Sequence, residues 1–220
     1  MSLPFSLDQF LQVFSDYNVA IWPSQIVLYA LAILGIALPF RSGASSKVIA
    51  GILAILWAWT GLAYHLAFFS SINKAAYIFS LLCVVQAFVF LYVGLLKGKL
   101  IFRPSATPEG LTGSLLILYA LLIYPVLGFY FGHIYPHSPT FGAPCPTTIF
   151  TFGLLLWTVG RVPRVVIVIP ILWALVGSTA AFVLGVREDL GLLFAGVASV
   201  TILLWRKESP KPASANPGSV

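Results

Sequence analysis

Ala75-Ala-Tyr-Ile-Phe-Ser-Leu-Leu-Cys-Val-Val-Gln-Ala-Phe-Val-Phe-Leu-Tyr-Val-Gly-Leu-Leu96 carries no charged residue, and lysines at 74 and 97 close it at both ends. About 20 helical residues cover the roughly 30 Å of hydrocarbon in a bilayer, so this stretch has the length of one crossing. Its apolar residues run continuously instead of alternating, which excludes a barrel strand. It reads as a transmembrane helix.

The pattern recurs over residues 20–40, 48–69, 111–131, 147–160, 165–186 and 190–205. The expected fold class is therefore all-α: a polytopic membrane protein of seven transmembrane helices. Composition agrees, because 60% hydrophobic with 8% charged residues lies outside the range of soluble domains.

Positively charged loops stay in the cytoplasm. Arg41 and Lys47, then Lys97, Lys99 and Arg103, then Arg161 and Arg164, and finally Arg206, Lys207 and Lys211 fall on one side. Only Lys74 and Arg187 fall on the other, with all three histidines. The alternation requires an odd number of crossings and puts the N-terminus outside and the C-terminus in the cytoplasm. It also accounts for the net charge of +6, so the bilayer, and not nucleic acid, is the expected partner.

Residues 1–19 form an outer interfacial segment, 20–205 the seven-helix transmembrane domain, and 206–220 a cytoplasmic tail whose Pro, Ser and Ala predict disorder. The first segment holds Asp8 and Asp16 and no Lys or Arg, unlike a signal peptide. Ser6-Leu-Asp-Gln9 has the form of a capping box. Leu7, Phe10, Leu11 and Phe14 then recur at helical spacing, predicting a short amphipathic helix in the interface, as an anchor or a lid. Small residues mark helix contacts: Gly51, Ala54, Ala58 and Gly61 share a face with His65, and Gly191, Ala195 and Ser199 form a second stripe. Pro125 and Pro170 permit kinks in the fourth and sixth spans.

The stretch from Gly132 to Thr148 holds four prolines and two of the three histidines before a short fifth span. Such backbone survives at membrane depth only inside protein or beside a wet cavity. A recessed start near Pro146, capped by Thr147 and Thr148, would aim free N–H groups into that cavity and polarise Cys145. The alternative is a rigid connector in which Cys145 merely packs. His65, His133, His137 and Cys145 supply the donor types that zinc or copper would take. Asn73 and Thr140 reach the same outer face, whereas Gln86 lies deeper, as an interhelical bond or a pathway lining. Arg187-Glu-Asp189 reads as an outer turn with Asp189 capping the seventh span. No nucleophile elbow, Walker loop, His-Glu-x-x-His or Cys-x-x-Cys occurs, so no catalytic residue is assigned. Cys83 and Cys145 give no disulfide framework.

Asn18-Val-Ala-Ile-Trp-Pro23, Tyr64-His65 with Phe68-Phe69 and Ile72-Asn73, and Pro139-Thr-Phe-Gly-Ala-Pro-Cys-Pro-Thr-Thr-Ile-Phe-Thr-Phe-Gly153 together resemble an uncharacterised family of bacterial multi-pass membrane proteins. The resemblance extends to about Trp205. It implies the bacterial inner (cytoplasmic) membrane and implies no activity. Seven-helix hydrolases of the ceramidase type also use three histidines with zinc and an Asp. Here the histidines are not on the corresponding helices, so no residues carry over. The expected function is an outward-facing pocket that binds or transports a small solute or metal ion. The alternatives are a non-catalytic accessory subunit of a larger membrane complex, or homo-oligomer, and a metal-dependent membrane hydrolase.

Overall fold

The computed structural model describes residues 4–41 and 45–206. Lys207, Lys211 and the rest of the tail expected to be disordered lie outside the described residues. Among those described, the chain is all helical: α1 (Leu7–Ile21), α2 (Ser24–Phe40), α3 (Ser45–Ser71), α4 (Ala76–Leu96), α5 (Pro108–Tyr130), α6 (Pro144–Leu156), α7 (Arg164–Leu184) and α8 (Arg187–Trp205). Five of these, α3, α4, α5, α7 and α8, are long and apolar enough to cross a membrane.

α1 begins at the expected capping box: the Ser6 hydroxyl accepts from the Gln9 backbone N–H at 3.2 Å, and the Gln9 side-chain Oε1 accepts from the Ser6 N–H at 2.9 Å. The helix runs two residues beyond the expected boundary, to Ile21. The chain then turns by 88° into α2 at Trp22-Pro23, where proline removes a backbone donor and stops the first helix. The apolar side of α1 (Phe10, Val13, Phe14, Tyr17, Ile21) is buried. It packs on α3 through a stacked Phe14–Tyr64 pair with centroids 5.3 Å apart and an edge-on Tyr17–Tyr64 pair.

α6 occupies the centre. All thirteen of its residues are buried, as expected of a helix that is apolar all round and enclosed by others. It spans about 20 Å at 1.5 Å per residue, and α3, α5, α7 and α8 surround it. Two glycines let α5 lie against it: a β-carbon at Gly113 would stand 2.7 Å from the Gly153 carbonyl oxygen, and one at Gly153 would stand 2.8 Å from that of Gly113. Trp57 of α3 donates to the Thr151 hydroxyl at 3.0 Å. Trp157, just past the helix, donates to the Gly110 carbonyl at 3.1 Å.

The small-residue stripes resolve residue by residue. A β-carbon on Gly61 would lie 2.9 Å from the Ser80 carbonyl of α4, so the backbones touch there; Gly51 has nothing within 4 Å. Gly191 abuts the Tyr119 ring, while Ala195 and Ser199 are fully buried.

Three helices widen into π turns, at Thr60–Leu66 in α3, Leu91–Leu96 in α4 and Tyr119–Ile123 in α5. The third directly precedes Pro125, whose missing N–H and ring displace the ordinary ladder. Pro170, by contrast, sits inside an uninterrupted α7.

Candidate functional site

The loop from 132 to 143 is fixed by one side chain. Asn18, fully buried near the end of α1, donates through its amide nitrogen to the Pro136 carbonyl at 2.6 Å and the Ser138 carbonyl at 2.7 Å. Its amide oxygen accepts from Gln25 at 2.8 Å and from the Thr140 hydroxyl at 2.7 Å. A buried amide with every donor and acceptor used makes a stiff clamp. Next along the loop, Gly142 has φ +99°, and a side chain there would strike Leu28 and come within 3.3 Å of the Tyr17 hydroxyl. The position therefore requires glycine for its backbone and for its space. Burial raises the Tyr17 hydroxyl above the ordinary phenol range, and Trp59 donates to it at 2.8 Å.

This clamp delivers the chain to the start of α6 at Pro144, three residues before the expected boundary. Pro144 and Pro146 carry no N–H, so two donors of the first turn never exist. Thr148 folds its hydroxyl back onto the Pro144 carbonyl at 2.8 Å instead of capping. Among the described residues the Thr147 hydroxyl has no hydrogen-bond partner, although it is 1% exposed. The prolines thus mute the anion-attracting helix start that the sequence suggests.

Beside it stand two acids. Glu188 is fully buried, and its Oε1 lies 2.6 Å from His133 Nδ1. Among the described residues its Oε2 has no partner. Asp189, also buried, accepts a short bond from the Tyr124 hydroxyl and receives the Cys145 thiol. Tyr119 holds the turn by donating to the Glu188 carbonyl at 2.7 Å. The expected turn is present at Arg187–Asp189, but the expected cap is corrected: both acids are buried, and the Asp189 side chain makes no capping hydrogen bond. The reason is the supply of buried donors on α5 and its following loop, without which such carboxylates could not leave water.

Cys145 and Asp189 reach a cavity of about 130 Å³ roofed by Phe10 and Phe14 of α1. Tyr64, Phe69, Phe79 and Trp173 wall it, and Asn73 lies at its edge. Asn73 is tied locally, its side chain accepting from the Ala75 N–H at 3.0 Å. The Cys145 sulfur and the Trp173 indole nitrogen both flank Gly177, whose lack of a side chain makes room for Leu192, 2.7 Å from where a β-carbon would stand.

The other residues singled out from sequence disperse. His65 is fully buried in an aromatic nest, 4.8 Å from Trp173 and 5.6 Å from Phe79 by ring centroids. Among the described residues neither of its nitrogens has a hydrogen-bond partner. His137 is exposed on the loop. Gln86 is buried in α4 and bonds the Val166 carbonyl of α7 at 3.0 Å, the interhelical role. Among the described residues no three His, Cys, Asp or Glu side chains form a group that could hold a metal ion. His65, His133, His137 and Cys145 therefore do not share one: His133 is turned to Glu188 and His65 lies among rings. Sequence reasoning missed Tyr124, Trp173, Glu188 and Asp189 as site residues. The available signal was two adjacent acids immediately ahead of an apolar run.

The chain matches a family described as a family of unknown function, DUF6064, over residues 7–213, and it belongs to that family. No curated protein and no solved structure matches it.

Proposed function

We propose that this DUF6064 member is a bacterial inner-membrane protein of seven crossings whose outer end binds a small solute beneath α1. The crossings would be α2 to α8, with α1 lying along the outer interface. Several facts support a membrane setting. Ile33, Leu81, Phe88, Leu122 and Phe194, from four of these helices, are each about 60% exposed, an apolar girdle that water would not tolerate. Ten of the twelve lysines and arginines fall, by sequence, in the joints and tail that alternate to one side of these crossings. α6 falls short of a bilayer, yet its burial spares it contact with lipid.

The observation that carries the binding reading is the cavity of about 130 Å³ under α1, reached by the Cys145 thiol and the Asp189 carboxylate. Pockets of this kind combine apolar walls with a few converging polar groups. α1 roofs it by aromatic contacts and is joined to α2 through a single bend, so it can act as a lid as well as an anchor. The bound species is read as an organic solute because, among the described residues, no three His, Cys, Asp or Glu side chains converge there.

Thiol labelling tests this reading. A small membrane-impermeant thiol reagent added outside intact cells should modify Cys145, read by the mass of its peptide, while a bulky reagent reacts slowly. Cys83, buried on α4 away from the cavity wall, should resist both. A Cys145 inert to every external reagent in folded protein removes the pocket.

A further inference from the structure

We propose that the solute is a small methylated ammonium ion, an inference that rests on the pocket reading above and names its ligand class. Seven aromatic side chains line the cavity, Phe5, Phe10, Phe14, Tyr64, Phe69, Phe79 and Trp173, and Asp189 lines it with them. The rings are not parallel: Phe79 and Trp173 stand at 76° with centroids 5.4 Å apart, whereas Phe14 and Tyr64 are nearly parallel at 26°. Walls set at such angles surround a ligand from several sides, the arrangement by which aromatic cages hold quaternary ammonium groups.

The carboxylate supplies the sign. Asp189 is 2% exposed and takes hydrogen bonds from neutral donors, the Tyr124 hydroxyl and the Cys145 thiol. The nearby imidazole of His133 is already engaged by Glu188, its Nδ1 lying 2.6 Å from Oε1. Two buried acids thus share one basic group, and a buried charge is stable when a counter-charge meets it. The arriving ligand would be that counter-charge.

The shortage of acceptors sets the substitution. A primary ammonium carries three N–H donors that each need an acceptor once water is left behind. Besides Asp189 the wall offers only neutral acceptors, the Tyr64 and Thr179 hydroxyls and an Asn73 whose oxygen already serves the Ala75 N–H. A methylated ammonium has few or no donors and satisfies itself against rings. Size agrees, since an engineered cavity of roughly 150 Å³ admits benzene, and a trimethylammonium group is of that class. Such a group arrives either on a free solute or on a lipid headgroup.

The test is calorimetric titration of the purified full chain in phosphatidylglycerol nanodiscs, with choline and with the uncharged alcohol in which carbon replaces the ammonium nitrogen. Choline should bind about tenfold tighter or better, as desolvated cation–π attraction would give. Asp189→Asn, whose side chain can still accept from Tyr124, should abolish that preference and leave the alcohol's binding unchanged. Phe79→Leu should weaken choline several-fold, a second variant that does not touch the buried acids. Repeating the titration in phosphatidylcholine nanodiscs separates the sources: competition there assigns the lipid headgroup, and unchanged choline affinity assigns the free solute. Equal binding of choline and alcohol overturns the ammonium assignment while the pocket stands. Absence of binding by both, with Cys145 still labelled, overturns the ligand class; an inert Cys145 overturns the pocket itself.

Discussion

Asn18 joins three separated parts of the chain, and its replacement should be felt well beyond its own helix. In Asn18→Ala, the carbonyls of Pro136 and Ser138 and the side chains of Gln25 and Thr140 all lose a partner. Leaving buried polar groups unpaired costs about 1–3 kcal/mol each at most, so a loss of that order is expected. It would be measured as a lower unfolding temperature in detergent, together with faster reaction of Cys145 with bulky thiol reagents. An unchanged melting point would show that the loop holds itself. Asn18 is marked in sequence only as part of a block that resembles a family, because its loop partners lie 118 to 122 residues away. Distance hid Glu188 and Asp189 too: their partners His133 and Tyr124 are 55 and 65 residues off. Without those partners, two acids beside an arginine read as an outer turn whose Asp189 caps the next helix. His65 was legible as buried, since its helix face is set by spacing; its isolation among rings was not.

At the level of helices, the register between neighbours decides which glycines matter. Gly61→Ala should destabilise, because its β-carbon would meet the Ser80 backbone at 2.9 Å and overpacking of this kind costs about 1–3 kcal/mol. Gly51→Ala, on the same stripe with open space before it, should be neutral or slightly stabilising through helix propensity. Thermal unfolding of the two variants side by side checks the pair; equal losses would mean that the stripe acts as a whole. Arg206 shows a different limit of sequence reading. Its position after the last span marks it as a cytoplasmic charge, yet its guanidinium closes the far end of α6, donating to the Leu156 carbonyl at 3.0 Å and to Thr158 O at 2.5 Å. Partial burial lowers its affinity for the proton, and Glu109 works the other way. Arg206→Lys should not rescue the stability lost in Arg206→Ala, because one ammonium cannot reproduce a planar fork of donors. Full rescue by lysine would reduce the role of Arg206 to charge alone. Helix lengths and apolar faces were readable because period and composition are local properties. The π turns and the start of α6 were not, since they answer to packing and to prolines acting on distant neighbours.

Across the whole molecule, orientation follows from the ten-to-two division of Lys and Arg. A reporter active only in the cytoplasm should work when fused after Trp205, and one active only outside should work at His137. The reverse pattern would invert every statement of sidedness made above. The total burial of α6 bears on how such a chain is made. A segment of thirteen residues containing Thr147, Thr148 and Thr151 has little tendency to partition into lipid by itself. Helices α7 and α8 that complete its sheath are synthesised after it. In the proposed seven-crossing arrangement, α6 would wait during biogenesis, held by the insertion machinery or left at the interface, until the later helices arrive to enclose it. A chain truncated after Trp157 should leave this segment accessible to external protease, whereas the full chain should protect it.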